Sequence, residues 1–110
     1  MKQYWVYILH CNDGTYYVGI TSNVDVRVAE HERGVDAECY TYFRRPLRLV
    51  HAEVFSNPEE AILCEKRIKG WSRAKKEALM RGDWLAIRRL ARASRLGEVA
   101  AKGHPSTSSA

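Results

Sequence analysis

The sequence has few cysteines and no long apolar run, and both shortages exclude classes of protein. Its three cysteines, Cys11, Cys39 and Cys64, lie far apart and form no Cys-x-x-Cys pair. An odd number of scattered cysteines argues against a disulfide framework and favours a reduced, cytoplasmic protein. No run approaches the roughly 20 apolar residues of a membrane helix. The first residues also lack a signal-peptide pattern, so we expect neither a membrane segment nor secretion.

Positive charge is concentrated in the C-terminal part of the 110 residues. Residues 1–65 contain 6 Lys/Arg and 10 Asp/Glu, a net charge of −4, whereas residues 66–110 contain 12 and 3, a net charge of +9. Clustered cations attract phosphate groups because binding releases counterions. The basic part therefore indicates a nucleic-acid partner, and a solvated surface of helical Lys and Arg is the alternative.

Apolar runs and turn residues predict an α+β fold with a small three-stranded sheet, mixed or antiparallel, flanked by helices. Strands are expected at residues 4–9, 15–21 and 47–55. Asn12-Asp13-Gly14 between the first two strands is a strong turn signal, with Gly14 left-handed, and it predicts an N-terminal hairpin.

Cap residues predict four helices after the hairpin. Ser22 and Asp25 would form a capping box for a helix that ends at Arg33 before Gly34. Further helices are expected from Asn57-Pro58 to Gly70, from Ser72 to about Arg81, and over residues 84–96. Residues 35–46 are expected to be irregular, and residues 97–110 to form a disordered tail.

Two tyrosines of the hairpin are candidate site residues. The predicted register sets Tyr7 opposite Gly19 and points Tyr7 and Tyr17 to the same face of the sheet. Gly19 would leave open space beside the Tyr7 ring. Two phenols beside a gap are typical of a polar site, although both rings could equally be core or rim aromatics.

Polar residues on two predicted helices are the other candidates. Arg27 and His31 are four positions apart and share a helix face, where Arg27 could also pair with Glu30. Glu65 borders the expected buried face of the second helix and could bind a hard metal ion. Its alternative is a surface salt bridge with Lys69 four positions later.

In sequence order, Trp5-Val6-Tyr7, Tyr17-Val18-Gly19, Arg27-x-x-x-His31 and Glu65 form a pattern that resembles the GIY-YIG endonuclease superfamily. The resemblance covers roughly residues 3–80 and is strongest to a compact, single-domain bacterial branch. Both tyrosine motifs are relaxed forms, and Ile20 stands where some members have a lysine. We expect a nuclease-like domain over residues 1–82, followed by a basic helix over residues 83–96 that packs on the domain or extends it.

The resemblance also implies site roles. It assigns catalysis to Tyr7, Tyr17, Arg27, His31 and Glu65, with Gly19 as a structural residue of the site. Glu65 would be the metal ligand for one Mg²⁺ or Mn²⁺, and Arg27 would bind the scissile phosphate. Tyr17 would orient or deprotonate the attacking water, helped by Tyr7 and His31. We expect Arg27 and the metal to lower the pKa of Tyr17.

The expected substrate is nucleic acid, with DNA favoured over RNA by the resemblance alone. Backbone contacts would come from a basic set consisting of Lys66, Arg67, Lys69, Arg73, Lys75 and Lys76. Such contacts carry little sequence information, so we expect low sequence specificity and possible selectivity for structure, as in DNA repair or recombination. A partner protein could supply specificity. The alternative function is a non-catalytic nucleic-acid-binding module on the same fold.

Overall fold

A computed structural model describes residues 2–91 of the chain. These residues form two compact units, one that extends to Lys69 and one that begins at Gly70. Each unit is described by itself below. None of the helices in residues 2–91 is both long and apolar enough to cross a membrane.

The first unit is built on a three-stranded antiparallel sheet in the order β2-β1-β3. The strands are β1 (Tyr4–His10), β2 (Tyr16–Thr21) and β3 (Arg48–Phe55). The central strand β1 is the apolar run, and its residues from Val6 to Leu9 are buried. The predicted α+β class is confirmed, and the sheet is antiparallel rather than mixed.

The hairpin has the register that its turn residues predict. Leu9 pairs with Tyr17, and Tyr7 pairs with Gly19. Gly14 has a φ of 87°, a left-handed value that glycine adopts without a steric cost. The Cys11 amide donates to the Thr15 carbonyl at 2.8 Å and closes the loop.

The first helix, α1 (Val24–Arg33), has its cap at Asn23, one residue after the predicted cap Ser22. The Oδ1 atom of Asn23 accepts a hydrogen bond from the Val26 amide at 3.2 Å. The prediction of Ser22 as the cap is therefore wrong, because the amide side chain one residue later reaches the free N–H group. Gly34 ends the helix in a left-handed conformation, as predicted.

The second helix, α2 (Pro58–Lys69), packs on all three strands through a face that includes the buried residues Ala61 and Ile68. Its start is confirmed, since Asn57 Oδ1 accepts from the Glu59 amide at 2.8 Å. Between α1 and β3 the chain is largely irregular, as expected, and includes a short 3-10 helix at Tyr42–Arg44.

The second unit contains α3 (Arg73–Arg81), with the predicted Ser72 cap and the left-handed Gly82 at its end. Residues 84–91 are helical. The predicted end of this helix near residue 96 and the predicted tail over residues 97–110 lie outside the described residues.

The cap of α1 gives a direct test of the corrected boundary. We expect Asn23→Ala to lower the free energy of unfolding by about 1 kcal/mol, because the Val26 amide loses its acceptor. Ser22→Ala is the matched control, and we expect it to change stability by less than about 0.5 kcal/mol. Urea unfolding of both variants measures the difference. A larger loss for Ser22→Ala would contradict the assignment.

Candidate active site

Tyr7 lies at the centre of the site, on the middle strand, with only 1% of its surface exposed. Its ring lies across Gly19 of β2, where an added Cβ would overlap the phenol oxygen and Cζ of Tyr7. The open space predicted beside Gly19 is thus filled by the Tyr7 ring itself. Burial raises the pKa of Tyr7 to about 12, so its hydroxyl keeps its proton at neutral pH.

His31 of α1 binds the Tyr7 hydroxyl, with 2.9 Å between Tyr7 Oη and His31 Nε2. The other ring nitrogen, Nδ1, lies 2.8 Å from Oγ1 of Thr41. Burial, and secondly the nearby Arg27 cation, lower the pKa of His31. A neutral imidazole has one donor and one acceptor nitrogen, so its two partners fix its tautomer.

One set of donor and acceptor roles satisfies every buried polar group in the series Tyr7–His31–Thr41. The buried Tyr7 O–H needs an acceptor, and His31 Nε2 is in position to accept it. Nδ1 of His31 then carries the proton and donates to Thr41, whose hydroxyl donates to Cys39 Sγ at 3.4 Å. Tyr7 and His31 are therefore held as a neutral, fixed pair.

Tyr17 of β2 packs against both members of this pair. Its ring centroid lies 6.3 Å from that of Tyr7 and 5.2 Å from that of His31. Burial raises the pKa of Tyr17, and the cations of Arg27 and Lys69 oppose this effect without cancelling it. Arg27 therefore acts on the pKa of Tyr17 in the expected direction, but desolvation of the phenolate outweighs the nearby charges.

Arg27 lies beside the tyrosines but is also paired within its own helix. Its Nη1 atom lies 3.0 Å from Glu30 Oε1, so the salt bridge offered as an alternative does form. A hydrogen bond from Arg27 also lowers the pKa of Tyr7, although less than burial raises it. Because the Arg27 side chain is 31% exposed, this surface pair contributes little to stability and leaves the guanidinium able to change partners.

Glu65 of α2 also forms its alternative salt bridge, with 2.8 Å between its Oε2 and Nζ of Lys69. Only 13% of the Glu65 side chain is exposed. The Lys69 ammonium is close enough to lower the pKa of Tyr17. Tyr7, Tyr17, Arg27 and His31 thus interact directly, whereas Glu65 pairs with Lys69, whose charge acts on Tyr17.

The donor set fits a cation that needs few protein ligands. Residues 2–91 contain no group of three or more His, Cys, Asp or Glu side chains placed to hold a metal ion. Mg²⁺ keeps most of its water shell and is commonly bound by one or two carboxylates together with substrate phosphate. A largely buried carboxylate such as that of Glu65 meets this requirement, whereas a closed zinc-type cage would need more ligands.

The predicted basic set divides between the two units. Lys66, Arg67 and Lys69 are exposed on α2 of the first unit. In the second unit Arg73 pairs with Glu77 at 3.2 Å, and the Lys75 ammonium lies 4.4 Å from the centroid of the Trp71 ring. Lys76 is buried, and burial lowers its pKa. The expectation that Lys76 presents its charge to nucleic acid is therefore corrected.

The segment between α1 and β3 contributes two residues to the site that no sequence pattern reveals. Thr41 is almost completely buried against His31, and Tyr40 stacks on Tyr17 at 6.2 Å between ring centroids. An irregular segment has no periodicity that would reveal which side chains point inwards. Thr41 lies ten residues after His31 in the sequence, and the two side chains come into contact only because the loop folds back.

Comparison with known proteins identifies the pattern. A family profile described as the GIY-YIG catalytic domain matches residues 3–78. A UPF0213 protein of Halobacterium salinarum is 53% identical over 74 residues, which cover 67% of this chain and 95% of that protein. A UPF0213 protein of Staphylococcus haemolyticus is 45% identical over 76 residues, 69% of this chain and 92% of that protein.

A solved structure shares the fold. The solution NMR structure of a protein from E. faecalis has a TM-score of 0.55 and is 33% identical to this chain. The match covers 77% of this chain and 90% of the E. faecalis protein.

Gly19 gives a test of the packing at the centre of the site. We expect Gly19→Ala to lower the free energy of unfolding by about 1–3 kcal/mol, because the added Cβ displaces the Tyr7 ring. Tyr7 ring signals in NMR spectra should shift as well. In the control Gly14→Ala the added Cβ meets no atom, so those signals should stay in place although the backbone is strained. A Gly19→Ala protein as stable as the parent would contradict the packing.

Proposed function

Because the chain belongs to the GIY-YIG family, whose domain is of the nuclease type, we propose that it is a metal-dependent endonuclease that hydrolyses phosphodiester bonds in nucleic acid. The observation that carries the proposal is the cluster in which Tyr7, His31 and Tyr17 pack together beside the Arg27 guanidinium. Phenols, a guanidinium and an imidazole in contact are suited to binding a phosphodiester and its attacking water.

Glu65 would hold one Mg²⁺ or Mn²⁺ together with water and the substrate phosphate. The cation would neutralise phosphate charge and stabilise the leaving oxygen. A carboxylate oxygen is the hard ligand that these cations prefer. For Oε2 of Glu65 to take part, the Lys69 ammonium must give up its 2.8 Å contact, and it is then free to bind a phosphate oxygen.

Arg27 would bind the scissile phosphate and stabilise the charge that develops in the transition state. A guanidinium can form two parallel charged hydrogen bonds with a phosphate. The contact with Glu30 holds the side chain near Tyr7 before substrate arrives. Exchange of one oxyanion for another leaves the guanidinium paired in both states.

Tyr17 would orient the attacking water and, as a phenolate, accept its proton. The neutral Tyr7–His31 pair fixes the place of the Tyr17 ring and accepts no proton itself at neutral pH. The surroundings of the two phenols therefore give them different roles. Tyr17, the reactive phenol, is half-buried and two cations act on it, whereas Tyr7, the supporting phenol, is fully buried.

We propose DNA rather than RNA as the substrate, cut with low sequence specificity and with selectivity for structure, in a cytoplasmic repair or recombination role. The exposed cations Lys66, Arg67 and Lys69 would contact the phosphate backbone beside the site. The domain layout proposed is a nuclease domain over residues 1–82 followed by a basic segment that begins at residue 83. A partner protein would supply any further specificity.

Cleavage of a substrate panel tests the proposal. Plasmid and branched DNA are incubated with the protein and Mg²⁺ or Mn²⁺, and nicking is followed on gels. We expect Glu65→Gln and Arg27→Ala to lower the cleavage rate at least a hundredfold, because each removes charge stabilisation of the transition state. Glu59→Gln is the matched control, since Glu59 is an exposed acid in the first turn of the same helix.

Binding separates the outcomes of this experiment. A nuclease should lose cutting but keep DNA affinity in the Glu65→Gln variant. A parent protein that retards DNA in a gel-shift assay without cutting it would instead be a binding module. A parent protein that does neither would exclude both functions.

The pH dependence tests Tyr17 as the proton acceptor. Because burial raises the pKa of Tyr17, its ionised fraction is small at pH 7 and grows about tenfold with each pH unit up to pH 9. We expect single-turnover cleavage to rise over this range, with a Tyr17→Phe variant slow and flat. A parent profile that does not change between pH 7 and pH 9 would exclude a phenolate base.

A further inference from the structure

Tyr40 is an aromatic residue of the segment between α1 and β3 that contacts the proposed catalytic phenol. Its ring and that of Tyr17 are nearly parallel, with 18° between their planes and 6.2 Å between their centroids. Tyr17 belongs to β2, which is an edge strand of the sheet. A side chain on an edge strand has neighbours on one side only, so its ring needs support from outside the sheet.

Tyr40 is itself held by Arg44, four residues later. The Cζ atom of Arg44 lies 3.7 Å from the centroid of the Tyr40 ring, within the range of a cation–π contact. The same guanidinium donates through Nη1 to the Tyr40 carbonyl at 2.7 Å and through Nε to Asp13 Oδ2 at 2.9 Å. The backbone and the ring of Tyr40 are therefore fixed by one side chain.

The hydroxyl of Tyr40 is anchored to the hairpin turn. Tyr40 Oη donates to Oγ1 of Thr15 at 2.9 Å, and Thr15 Oγ1 donates to Asp13 Oδ1 at 2.7 Å. Asp13 also binds Arg44, so Asp13, Thr15, Tyr40 and Arg44 form a closed ring of contacts, here called the Tyr40 clamp. The hydrogen bonds from Thr15, and secondly the Arg44 pair, lower the pKa of Asp13, which keeps its carboxylate charged.

The Tyr40 clamp takes no part in the Tyr7–His31–Thr41 chain, but the two meet at Tyr17. The Tyr17 ring packs against the His31 ring, with 5.2 Å between centroids, and also against the Tyr40 ring. The two supports come from consecutive residues, since Thr41 orients His31 and Tyr40 stacks on Tyr17. One short segment thus supports both the imidazole and the phenol.

We propose that Tyr40 is a positioning residue that holds the Tyr17 ring in the orientation required for attack. The inference rests on the proposed function and extends it to a residue that the family pattern in the sequence does not contain. Tyr40 acts through its aromatic ring, and its hydroxyl and Arg44 act by holding that ring. A reacting group displaced by about 1 Å can lose on the order of a hundredfold in rate.

The test compares variants that keep or remove the ring. We expect Tyr40→Leu to lower kcat ten- to a hundredfold while KM changes less than about twofold, since the ring orients Tyr17 and does not bind substrate. Tyr40→Phe keeps the stack and should retain most of the activity. Arg44→Ala should lower kcat in the same way, and Arg48→Ala, an exposed arginine on β3, controls for the lost charge.

A second measurement does not depend on cleavage. In the parent protein, NMR should show nuclear Overhauser contacts between the rings of Tyr17 and His31, which should weaken in Tyr40→Leu and persist in Tyr40→Phe. An inactive parent that shows this pattern would defeat the proposed function, and it would still support the structural part of the inference, that Tyr40 holds the Tyr17 ring against His31. If Tyr40→Leu does not fold, Arg44→Ala decides the question.

Two results would overturn the positioning role. One is a Tyr40→Leu protein with the kcat of the parent, whether or not its KM is raised. The other is a Tyr17–His31 contact that persists without the Tyr40 ring.

Discussion

The hydrogen bond between the Tyr7 hydroxyl and His31 Nε2 is the interaction on which the rest of the site depends. It joins the central strand to α1 at a place where both side chains are nearly without solvent contact. A buried polar group without a partner costs about 1–3 kcal/mol, so each of these residues requires the other. Gly19 is needed because the Tyr7 ring lies across it, and Thr41 is needed because the second imidazole nitrogen also requires a partner.

Different degrees of burial give the phenols of Tyr7 and Tyr17 different properties. Desolvation disfavours the phenolate of both, but only Tyr17 lies half-buried with cations from two different helices acting on it. Tyr7 is therefore fixed as a neutral hydrogen-bond donor, whereas Tyr17 remains partly exposed. The salt bridges of Arg27 with Glu30 and of Lys69 with Glu65 hold the two cations whose charges act on Tyr17.

Sequence alone predicts the parts of the fold that local rules control. The hairpin register follows from the Asn-Asp-Gly turn and the period of two along each strand, and the starts of α2 and α3 follow from Asn57 and Ser72. The cap of α1 was misplaced because Ser22 and Asn23 are both good cap residues and only the backbone geometry selects between them. The burial of Lys76 was missed because an amphipathic pattern does not show how much of a long side chain is covered.

The site was less predictable than the fold because its support comes from a segment without a repeating pattern. Tyr40 and Thr41 reach Tyr17 and His31 only after the loop folds back, and no spacing in the sequence signals these contacts. The rise in the pKa of Tyr17 on burial is likewise not predictable from the sequence, since charge can be counted from a sequence but desolvation cannot. The resemblance to a family identifies the candidate site residues, and the structure shows what surrounds them.

The central claim is that the Glu65 carboxylate and the Tyr17–Arg27 group serve one cation site. Titration of the protein with Mn²⁺, followed by paramagnetic broadening of NMR signals, tests this claim most directly. We expect signals of Glu65, Tyr17 and Arg27 to broaden first and together, and Glu65→Gln to abolish the effect. Broadening that begins at the exposed acids Glu59 and Glu60, with Tyr17 and Arg27 unaffected, would contradict it.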